Sequence, residues 1–358
     1  MEEVGMNFYK NKRVLVTGST GFKGTWLCRM LALAGAQVTG FALPPTEPSL
    51  FALTDTANII WQVYGDVRDR EILLSVMTAA RPEIVFHLAA QPLVQKGYAD
   101  PVYTYSTNVM GTVNVLDCVR LTDSVRSVVN VTTDKVYCNR EWEWGYREND
   151  PLDGYDPYAN SKSCSELITG TYNRCFLTEQ GTAVSTCRAG NVIGGGDFSE
   201  NRIIPDCIRA VQSGEPILLR NPDSVRPYQH VLEPLTAYLL LAQKQYENHA
   251  LAGCYNIGPA EQDCLRTGEL ATLFCHFWGD GAAWKSCAEP DAVHEANFLK
   301  LDCSRIRQAI GWTPLWNIET ALRYTVDWTK SWMQGDNIAA ITDEQIKSHA
   351  LIYYNNNR

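Results

Sequence analysis

The first half of the chain alternates short apolar runs with longer stretches of helical periodicity. The apolar runs are rich in β-branched residues and predict strands over residues 13–18, 38–43, 59–64, 84–88, 128–132 and 184–188. The helical stretches lie between them, over residues 22–34, 69–80, 101–121 and 158–177. Continuous apolar strands that alternate with helices are typical of a parallel sheet covered on both faces. The pattern therefore predicts an α/β fold with a doubly wound parallel sheet.

Beyond residue 192 the strict alternation fades. The remaining pattern predicts helices over residues 202–212, 233–246, 267–278 and 318–333, and short strands over residues 216–220, 228–231 and 254–258. In the last of these helices Trp328 and Trp332 stand one turn apart, which favours packing over ligand contact. The three glycines at 194–196 predict a flexible turn.

No linker separates the two halves of the chain, so we expect two interleaved domains around a cleft. The first covers residues 10–192 and carries the regular alternation. The second covers residues 193–335 and is a smaller C-terminal α/β domain. Residues 336–358 are expected to form a tail on the surface.

A glycine-rich segment joins the first strand to the first helix. Gly18, Gly21 and Gly24 have the spacing G-x-x-G-x-x-G, a variant of the Rossmann dinucleotide fingerprint. The first glycine permits the tight turn, the second lets backbone approach a pyrophosphate, and the third lets helix and strand pack closely. The helix N-terminus adds free N–H groups and a partial positive charge. The segment predicts dinucleotide binding, and a turn that needs glycines only for packing is the alternative.

Other residues of the first half fall where a bound dinucleotide would lie. Asp66 follows the third strand, where it either accepts an adenine amino group or caps the next helix. Ala89 and Ala90 are small residues at a strand end and suit either a nearby cofactor or core packing. Asn108 lies within a long helix, where it is either buried with a partner or solvated. The full predicted cofactor set is Gly18, Thr20, Gly21, Phe22, Lys23, Gly24, Asp66, Val67, Leu88, Ala89, Ala90, Asn108, Thr132, Tyr158 and Lys162.

The second strand departs from the usual fingerprint at its end. A carboxylate normally binds the adenosine ribose at this point, but residues 41–44 read Phe-Ala-Leu-Pro. No basic residue stands there to hold a 2′-phosphate either. The segment therefore favours NAD over NADP and predicts a weaker grip on the ribose.

Two groups of polar residues carry candidate chemistry. Tyr158 and Lys162 stand one helical turn apart, and a nearby ammonium lowers the pKa of a phenol from about 10. This pair is a candidate general base for an alcohol proton. Thr133, Asp134 and Lys135 follow the fifth strand directly, which places them at the ligand edge of a parallel sheet. A plain polar turn is the alternative for the second group.

Composition narrows the class of protein further. The 358 residues carry a net charge of −9 with scattered basic residues, which argues against nucleic acid as the main partner. The 12 cysteines form no Cys-x-x-Cys and no metal-ligand cluster with histidine, so we expect a reduced, cytoplasmic protein without a metal. The start of the chain lacks the features of a signal peptide, and no apolar run approaches the roughly 20 residues of a membrane span.

These motifs, in this order, resemble the extended short-chain dehydrogenases/reductases that modify nucleotide sugars. The resemblance rests on the glycine segment, His87-Leu88-Ala89-Ala90, the Tyr-x-x-x-Lys pair and Arg188-Ala189-Gly190-Asn191, and it covers about residues 10–330. Thr133 and Asp134 look like the first two residues of the Thr-Asp-Glu motif of the 4,6-dehydratases of this family. Lys135 departs from that motif, because it stands in place of the glutamate.

The resemblance implies a bound NAD and a nucleotide-sugar substrate, CDP-glucose, which is dehydrated to a 4-keto-6-deoxy sugar for deoxysugar biosynthesis of the O-antigen type. On this resemblance, Tyr158 takes the proton of the sugar 4-hydroxyl while hydride leaves C4 for NAD⁺. Lys162 lowers the pKa of Tyr158 and holds the nicotinamide ribose. Thr133 orients the oxygen of the 4-hydroxyl. Asp134 protonates the departing C6 hydroxyl, for which burial must raise its pKa. Hydride finally returns to C6. Lys135 acts on the C5 proton either as a free amine, the role we favour, or as a charge that stabilises the enolate.

The resemblance also implies the substrate contacts and the assembly. The predicted substrate set is Gln91, Thr133, Asn191, Arg202, Arg226, Tyr228 and His230. Arginine forks suit a diphosphate, although a surface charge or a helix cap is the alternative for each, and an aromatic ring can stack on a pyrimidine. Pairing through the helices at 101–121 and 158–177 implies a homodimer or homotetramer.

Two other functions remain open at this point. A 4-epimerase shares the fold and the Tyr–Lys pair, but it eliminates nothing and needs no acid at Asp134. A nucleotide-sensing protein without activity would keep the fold but has no need of Thr133, Tyr158 and Lys162 together.

Overall fold

A computed structural model describes residues 6–287 and 298–356 of the chain. Its centre is a seven-stranded sheet in which all neighbouring strands run parallel. The strands of the described residues are β1 (Arg13–Thr17), β2 (Gln37–Ala42), β3 (Trp61–Tyr64), β4 (Ile84–His87), β5 (Ser127–Val131), β6 (Ala183–Ala189), β7 (Val192–Ile193), β8 (Ile217–Leu219), β9 (Val225–Pro227), β10 (Gln229–His230), β11 (Cys254–Ile257), β12 (Cys264–Arg266) and β13 (Trp284–Ser286). The sheet order is β3-β2-β1-β4-β5-β6-β11, so the predicted Rossmann-type architecture is confirmed.

Helices cover both faces of this sheet. Those of the described residues are α1 (Phe22–Leu33), α2 (Leu50–Leu53), α3 (Arg70–Ala80), α4 (Val94–Ala99), α5 (Pro101–Tyr105), α6 (Gly111–Arg120), α7 (Pro157–Tyr172), α8 (Thr178–Gln180), α9 (Ile203–Gln212), α10 (Leu232–Glu247), α11 (Thr267–Trp278), α12 (Ser304–Ile310), α13 (Ile318–Gln334) and α14 (Ile338–Asn356). A π-helical turn joins α5 to α6, and another joins α7 to α8. Each predicted long helix is therefore helical throughout, with one wider turn.

The central strands are apolar at successive positions because both of their faces are buried. On β1, Val14 and Val16 belong to the core on one face, whereas Leu15 belongs to the core on the other. Val128 and Val129 of β5 divide between the two faces in the same way. This arrangement explains why the strands read as continuous apolar runs in the sequence.

The order of strands reverses between β1 and β4, which pair in register with Thr17 opposite His87. Chain leaving β1 turns one way and chain leaving β4 turns the other, so a crevice opens beyond their carboxyl ends. The glycine-rich turn follows β1 and Ala89 follows β4. Both segments therefore lie at the crevice where dinucleotides bind in this architecture.

The second half of the chain contributes to two different cores. A third hydrophobic cluster gathers side chains of α9, β8, α11 and α13 around Phe274. By contrast, α10 and β11 return to the main body, where Leu235, Tyr238 and Tyr255 join the first core. The domain boundaries at residues 192 and 335 stay a prediction.

The glycines at 194–196 form a tightly packed segment, so the prediction of a flexible turn is wrong. A β-carbon on Gly195 would lie 2.1 Å from the ring of Trp328, and one on Gly196 would lie 2.6 Å from Leu50. Glycine is required here because Trp328 packs flat against this backbone, which confirms the packing role predicted for that tryptophan.

The C-terminal segment is a buried helix, so the prediction of a surface tail is wrong. Ile346 of α14 is fully buried, and Ala350 and Tyr353 join the first core. Asp343 forms a bidentate ion pair with Arg29 of α1, with both N···O distances at 2.8 Å. His349 contacts Glu233 of α10 at 2.9 Å. The apolar positions at i, i+4 and i+7 carried the signal of an amphipathic helix.

Over residues 6–287 and 298–356, no helix combines the length and the apolar character that crossing a bilayer requires. Within the same ranges, no three histidine, cysteine or acidic side chains come together as metal ligands.

Candidate active site

The turn after β1 is shaped for close approach of a ligand. Gly18 has φ +74°, and a β-carbon there would lie 2.7 Å from the nitrogen of Ala89. A β-carbon on Gly24 would lie 2.0 Å from the carbonyl oxygen of Gly18. Helix α1 begins after Gly21 without a side-chain cap and without an acidic residue in its first turn. Three glycines and an uncapped helix N-terminus fit a dinucleotide pyrophosphate.

The end of β5 and the start of α7 bring the candidate catalytic residues together. Thr133 and Asp134 follow β5 and are buried, at 5% and 2% exposure. Tyr158 and Lys162 lie on the first turns of α7, which Asp156 caps through a hydrogen bond from the nitrogen of Ala159. The hydroxyl of Thr133 lies close enough to Tyr158 to influence its pKa. A hydroxyl, a carboxyl and a phenol therefore meet at one point of the crevice.

The surroundings of Asp134 change the pKa of its carboxyl. Burial raises the pKa of its carboxyl, although Lys135, the Thr133 hydroxyl, Arg226 and Lys23 all act in the opposite direction. The hydroxyl of Thr133 donates to Oδ1 at 3.0 Å. Within the described residues Oδ2 is buried without a hydrogen-bond partner. The direction of the shift is the one that a proton donor near neutral pH requires.

The pKa of Tyr158 moves in the opposite direction from the expectation. Burial raises it to about 12, and contact with Thr133 and the charge of Arg202 only partly offset that effect. Lys162 directs its ammonium to the carbonyl oxygen of Val131 at 3.0 Å. Burial lowers the pKa of Lys162 to about 8, against the charge of Glu166. In the protein alone, burial therefore outweighs any lowering of the tyrosine pKa by Lys162.

Basic side chains from distant segments surround Asp134. Lys23 comes from α1 and is half-buried, and loss of solvent together with the nearby charges of Arg202 and Lys162 lowers its pKa to about 8. Arg226 of β9 is 6% exposed, with one nitrogen 3.0 Å from the carbonyl oxygen of Val225. Arg202 precedes α9 and pairs with Asp197 at 3.0 Å. Such a concentration of positive charge suits a diphosphate. The sequence placed Lys23 with the cofactor but did not reveal its proximity to Asp134.

Several predicted site residues use their hydrogen bonds within the protein. Asn108 is 1% exposed, which excludes a solvated position, and it bonds both backbone groups of Gln91 and the hydroxyl of Ser161. The Gln91 amide bonds Leu93 and Thr104. The Thr132 hydroxyl donates to Glu166 at 2.5 Å. These side chains shape the walls of the crevice.

The other cofactor candidates lie at the sheet edge as expected. Asp66 pairs with Arg68 at 2.6 Å, whereas Asp69 caps α3, so the cap alternative for Asp66 is wrong. The hydroxyl of Thr20 donates to the carbonyl oxygen of Leu43 at 2.9 Å. Leu43 directly follows β2, where the usual fingerprint has an acidic residue for the adenosine ribose. The remaining members, Phe22, Val67, Leu88, Ala89 and Ala90, are buried or half-buried along the same edge.

Two of the predicted substrate residues lie in the core. His230 is fully buried, and its ring packs edge-on against Trp26 and Trp316. Tyr228 is 3% exposed within the third hydrophobic cluster. The prediction that His230 contacts substrate is therefore wrong, and Tyr228 lacks the open ring face that stacking requires. Asn191 is half-buried beside the cleft, with its carbonyl oxygen accepting from the nitrogen of Gln229 at 3.0 Å.

A buried ion pair next to the site was missed from the sequence. Glu166 lies one turn after Lys162 and pairs with Arg188 of β6 at 2.9 Å, with 1% and 2% of the side chains exposed. Arg188 also donates to the hydroxyl of Tyr137 at 2.8 Å. The spacing of Lys162 and Glu166 on α7 was the available signal, but their partners on other strands were not visible.

The fold and the Tyr158–Lys162 pair define the class of extended short-chain dehydrogenases/reductases. The chain belongs to the GDP-mannose 4,6 dehydratase family, which matches residues 15–325. A CDP-glucose 4,6-dehydratase of Salmonella typhimurium is 44% identical over 353 residues, which cover 97% of this chain and 98% of that protein. A dTDP-glucose 4,6-dehydratase of Xanthomonas campestris pv. campestris is 26% identical, with 90% and 95% covered.

Solved structures share the fold at lower identity. A UDP-glucose 4-epimerase from Thermotoga maritima superposes with a TM-score of 0.78 at 21% identity, covering 89% of this chain and 99% of that one. A dTDP-glucose 4,6-dehydratase from Bacillus anthracis in complex with NAD gives a TM-score of 0.74 at 22% identity, covering 91% and 98%. Epimerases and dehydratases are thus both built on this architecture.

Proposed function

We propose that this chain is a CDP-glucose 4,6-dehydratase, which converts CDP-glucose to CDP-4-keto-6-deoxyglucose and water. The observation that carries the proposal is the buried carboxyl of Asp134, held by Thr133 next to Tyr158. An acid at this point serves an elimination, whereas a 4-epimerase eliminates nothing. The choice of cytidine rests on the 44% identity to the enzyme from Salmonella typhimurium.

NAD is the proposed cofactor, held by the turn of Gly18, Gly21 and Gly24 at the N-terminus of α1. When bound, it supplies the hydride acceptor and donor that oxidation at C4 and reduction at C6 require. Asp66 lies where an adenine would end, in a surface depression that it forms with Arg68, Asp69 and Arg70. The absence of a carboxylate and of a basic residue at residues 41–44 supports NAD over NADP.

The first proton transfer is assigned to Tyr158. Its hydroxyl takes the proton of the sugar 4-hydroxyl, and Thr133 hydrogen-bonds the same oxygen and holds it in line. Because burial raises the tyrosine pKa to about 12, the phenolate needs positive charge around it. Lys162 and Arg202 are the groups of this chain that supply such charge.

The elimination is assigned to Asp134 and Lys135. Once C4 is a ketone, the C5 proton becomes acidic, and Lys135, beside Asp134, serves its removal either as the base or as a charge that stabilises the enolate. Asp134 gives its proton to the departing C6 hydroxyl, which leaves as water. Hydride addition at C6 and return of a proton to C5 complete the product, so the atoms lost from the substrate are those of one water.

The diphosphate of the substrate is proposed to lie between Arg202 and Arg226, with Asn191 at the sugar end. Both arginines act on groups of the catalytic cluster, Arg202 on Tyr158 and Arg226 on Asp134. Arginine offers paired donors that match phosphate oxygens. Lys23 adds a further positive charge at the same point.

The proposed function is tested by incubating the purified protein with NAD⁺ and CDP-glucose and following the sugar by mass spectrometry and NMR. Loss of one water with a new 6-methyl resonance is the expected result. Formation of CDP-galactose would identify an epimerase instead and would overturn the proposal. Parallel reactions with UDP-, dTDP- and GDP-linked hexoses test which nucleobase the enzyme prefers. Faster turnover of one of these substrates than of CDP-glucose would overturn the assignment of cytidine.

We further propose a homodimer through the helices at 101–121 and 158–177. These helices expose large apolar side chains, with Val102 at 79%, Met110 at 51%, Leu167 at 61% and Phe176 at 45% exposure. A second copy of the chain is the partner that would cover them, and a further pairing of dimers gives a tetramer. Light scattering after size-exclusion chromatography tests the assembly. Leu167→Arg is expected to yield monomers, and an unchanged mass would place the interface elsewhere.

Two organisational assignments accompany this function. Residues 10–192 are proposed as the NAD-binding and catalytic domain, and residues 193–335 mainly as the substrate domain, supported by the separate hydrophobic cluster around Phe274. A cytoplasmic location is supported by the 12 cysteines, all of which are free thiols.

A further inference from the structure

Glu166 is a buried carboxylate on the catalytic helix to which the mechanism assigns no step. It lies on α7, one turn beyond Lys162, and its side chain is 1% exposed. Burial of a carboxylate is costly unless hydrogen bonds and opposite charge compensate it. The groups around Glu166 that compensate its burial therefore indicate its role.

The carboxylate of Glu166 is bound from two strands. Oε1 accepts from the hydroxyl of Thr132, at the end of β5, at 2.5 Å. Oε2 accepts from the hydroxyl of Thr186 at 2.6 Å and from Arg188 at 2.9 Å, both on β6. Three charge-assisted hydrogen bonds hold the group in one orientation.

Lys162 and Glu166 contact two consecutive residues, the last residue of β5 and the one that follows it. The ammonium of Lys162 donates to the carbonyl oxygen of Val131, and Glu166 binds the hydroxyl of Thr132. The next two residues along the chain are Thr133 and Asp134, so the two contacts on α7 set the distance between the helix that carries Tyr158 and the segment that carries the candidate acid. Misplacement of about 1 Å in such a site costs roughly 100-fold in rate.

Glu166 also supplies the negative charge that faces Lys162. Burial is the main influence on Lys162 and lowers its pKa, while the carboxylate of Glu166 opposes that effect. The charge of Lys162 also acts on Lys23 from α1 and on His87 from β4. Tyr158 stands one turn before Lys162 on α7. Burial together with Lys162 lowers the pKa of His87 to about 3, so this ring is neutral at pH 7. Glu166 is thus the group that favours the ammonium.

The same network extends to the loop between β5 and α7. Arg188 donates to the hydroxyl of Tyr137 and to the carbonyl oxygen of Glu148. The hydroxyl of Tyr137 donates in turn to Asn256 of β11 at 2.6 Å. Glu166 therefore lies at the junction of α7, the central sheet and the loop between β5 and α7.

We propose that Glu166 is a positioning residue of the site: it fixes α7 to the end of β5 and keeps the side chain of Lys162 protonated beside Tyr158. The kinetic part of this inference rests on the proposed dehydratase function. Arg188 pairs with Glu166 at 2.9 Å and acts through it.

The kinetic test compares kcat as a function of pH for the native protein, Glu166→Gln and Glu166→Asp. The carboxamide removes the charge and keeps the shape. It is expected to lower kcat by roughly 10- to 100-fold at unchanged KM and to move the alkaline limb of the profile about one pH unit lower. The aspartate keeps the charge and is expected to leave the limb close to its native position.

Glu233→Gln is the matched control, because Glu233 of α10 is also a fully buried carboxylate that pairs with a basic side chain, His349 of α14. It is expected to lower Tm without moving the alkaline limb. A purely structural Glu166 would behave in the same way. If the profile of Glu166→Gln coincides with that of the native protein, the proposal is overturned.

A second readout does not depend on the proposed reaction. NMR titration of ¹³Cε-labelled lysines, with Lys162 assigned from the spectrum of Lys162→Ala, reports its pKa without substrate. A lower Lys162 pKa in Glu166→Gln supports the proposal even if CDP-glucose is not turned over, and an unchanged pKa refutes it. If Glu166→Gln does not fold, Glu166→Gln/Arg188→Met removes both charges of the pair, and the same lowering of the Lys162 pKa is then required.

Discussion

The carboxyl of Asp134 lies directly against the backbone of Gly190. A β-carbon on Gly190 would lie 3.0 Å from Oδ2 of Asp134 and 2.7 Å from the ring of Pro227. Gly190 belongs to the segment after β6, more than fifty residues beyond Asp134 along the chain. The space that Asp134 needs is therefore provided by the absence of a side chain on a neighbouring strand.

Gly190→Ala is expected to lower kcat for dehydration at least tenfold, because its methyl group displaces either Asp134 or Pro227. Steady-state kinetics with CDP-glucose measure the effect. Gly170→Ala on α7 is the control, since its β-carbon meets only the end of the Arg174 side chain, at 3.3 Å. The control is expected to keep native kcat, and equal losses in both variants would contradict the argument.

Asp134→Asn is expected to abolish dehydration yet stabilise the fold, because the native site holds a buried carboxyl with an unpaired oxygen. Burial raises the folded-state pKa of Asp134 above its unfolded value, so the folded state binds the proton more tightly. Native stability then falls as pH rises from the unfolded pKa through the folded pKa. A difference of one between the two pKa values corresponds to about 1.4 kcal/mol of unfolding free energy.

The Tm advantage of Asp134→Asn should therefore grow as the pH rises above the unfolded-state pKa of about 4. Differential scanning fluorimetry of both proteins over this range measures it. An advantage that stays constant with pH would show that Asp134 keeps an ordinary pKa.

Lys23→Met is expected to stabilise the protein at neutral pH, because burial depresses the folded-state pKa of Lys23 to about 8 from 10.5. At pH values below 8, the protonated form of Lys23 lowers the stability of the folded protein. This destabilisation disappears as the pH rises from 8 to 10.5. The Tm gain of the variant should disappear over that interval. Lys10→Met, which removes an exposed lysine, is the control and should show no such pH dependence.

Ile346→Ala is expected to cost about 2–5 kcal/mol of unfolding free energy, because Ile346 of α14 is fully buried in the first core. Leu351→Ala on the same helix is the control: this side chain is 51% exposed, and its loss should change stability by less than about 0.5 kcal/mol. Denaturant unfolding measures both. Equal changes in unfolding free energy for the two variants would show that α14 is only loosely attached to the core.

Features that depend only on residues close together in the sequence were predicted correctly. The glycine turn lies between β1 and α1, and Tyr158 and Lys162 lie on one helix face, because G-x-x-G-x-x-G and Tyr-x-x-x-Lys are defined by local spacing. Thr133 and Asp134 lie at the edge of the sheet where ligands bind, because they directly follow a strand of a parallel sheet. Sheet architecture then follows from the alternation of strands and helices.

Residues that depend on distant partners were misjudged. His230 was assigned to the substrate, but it packs between Trp26 and Trp316, whose positions relative to it depend on how α1 and the C-terminal segment close over β10. Gly194–Gly196 appeared flexible because the tryptophan that demands glycine there lies more than 130 residues later. The burial that raises the pKa of Tyr158 to about 12 is likewise a property of the assembled crevice.

The sequence by itself determined the Rossmann-type sheet, the dinucleotide turn and the placement of Tyr158 and Lys162 on one helix face, since these depend on backbone preferences and on spacing within one or two elements. The tertiary structure decided which charges surround Asp134, which carboxylate faces Lys162 and where α14 docks. Those features join side chains from strands and helices far apart in the chain. Their energies come from burial and from contacts across the sheet, which exist only once the strand order has been set.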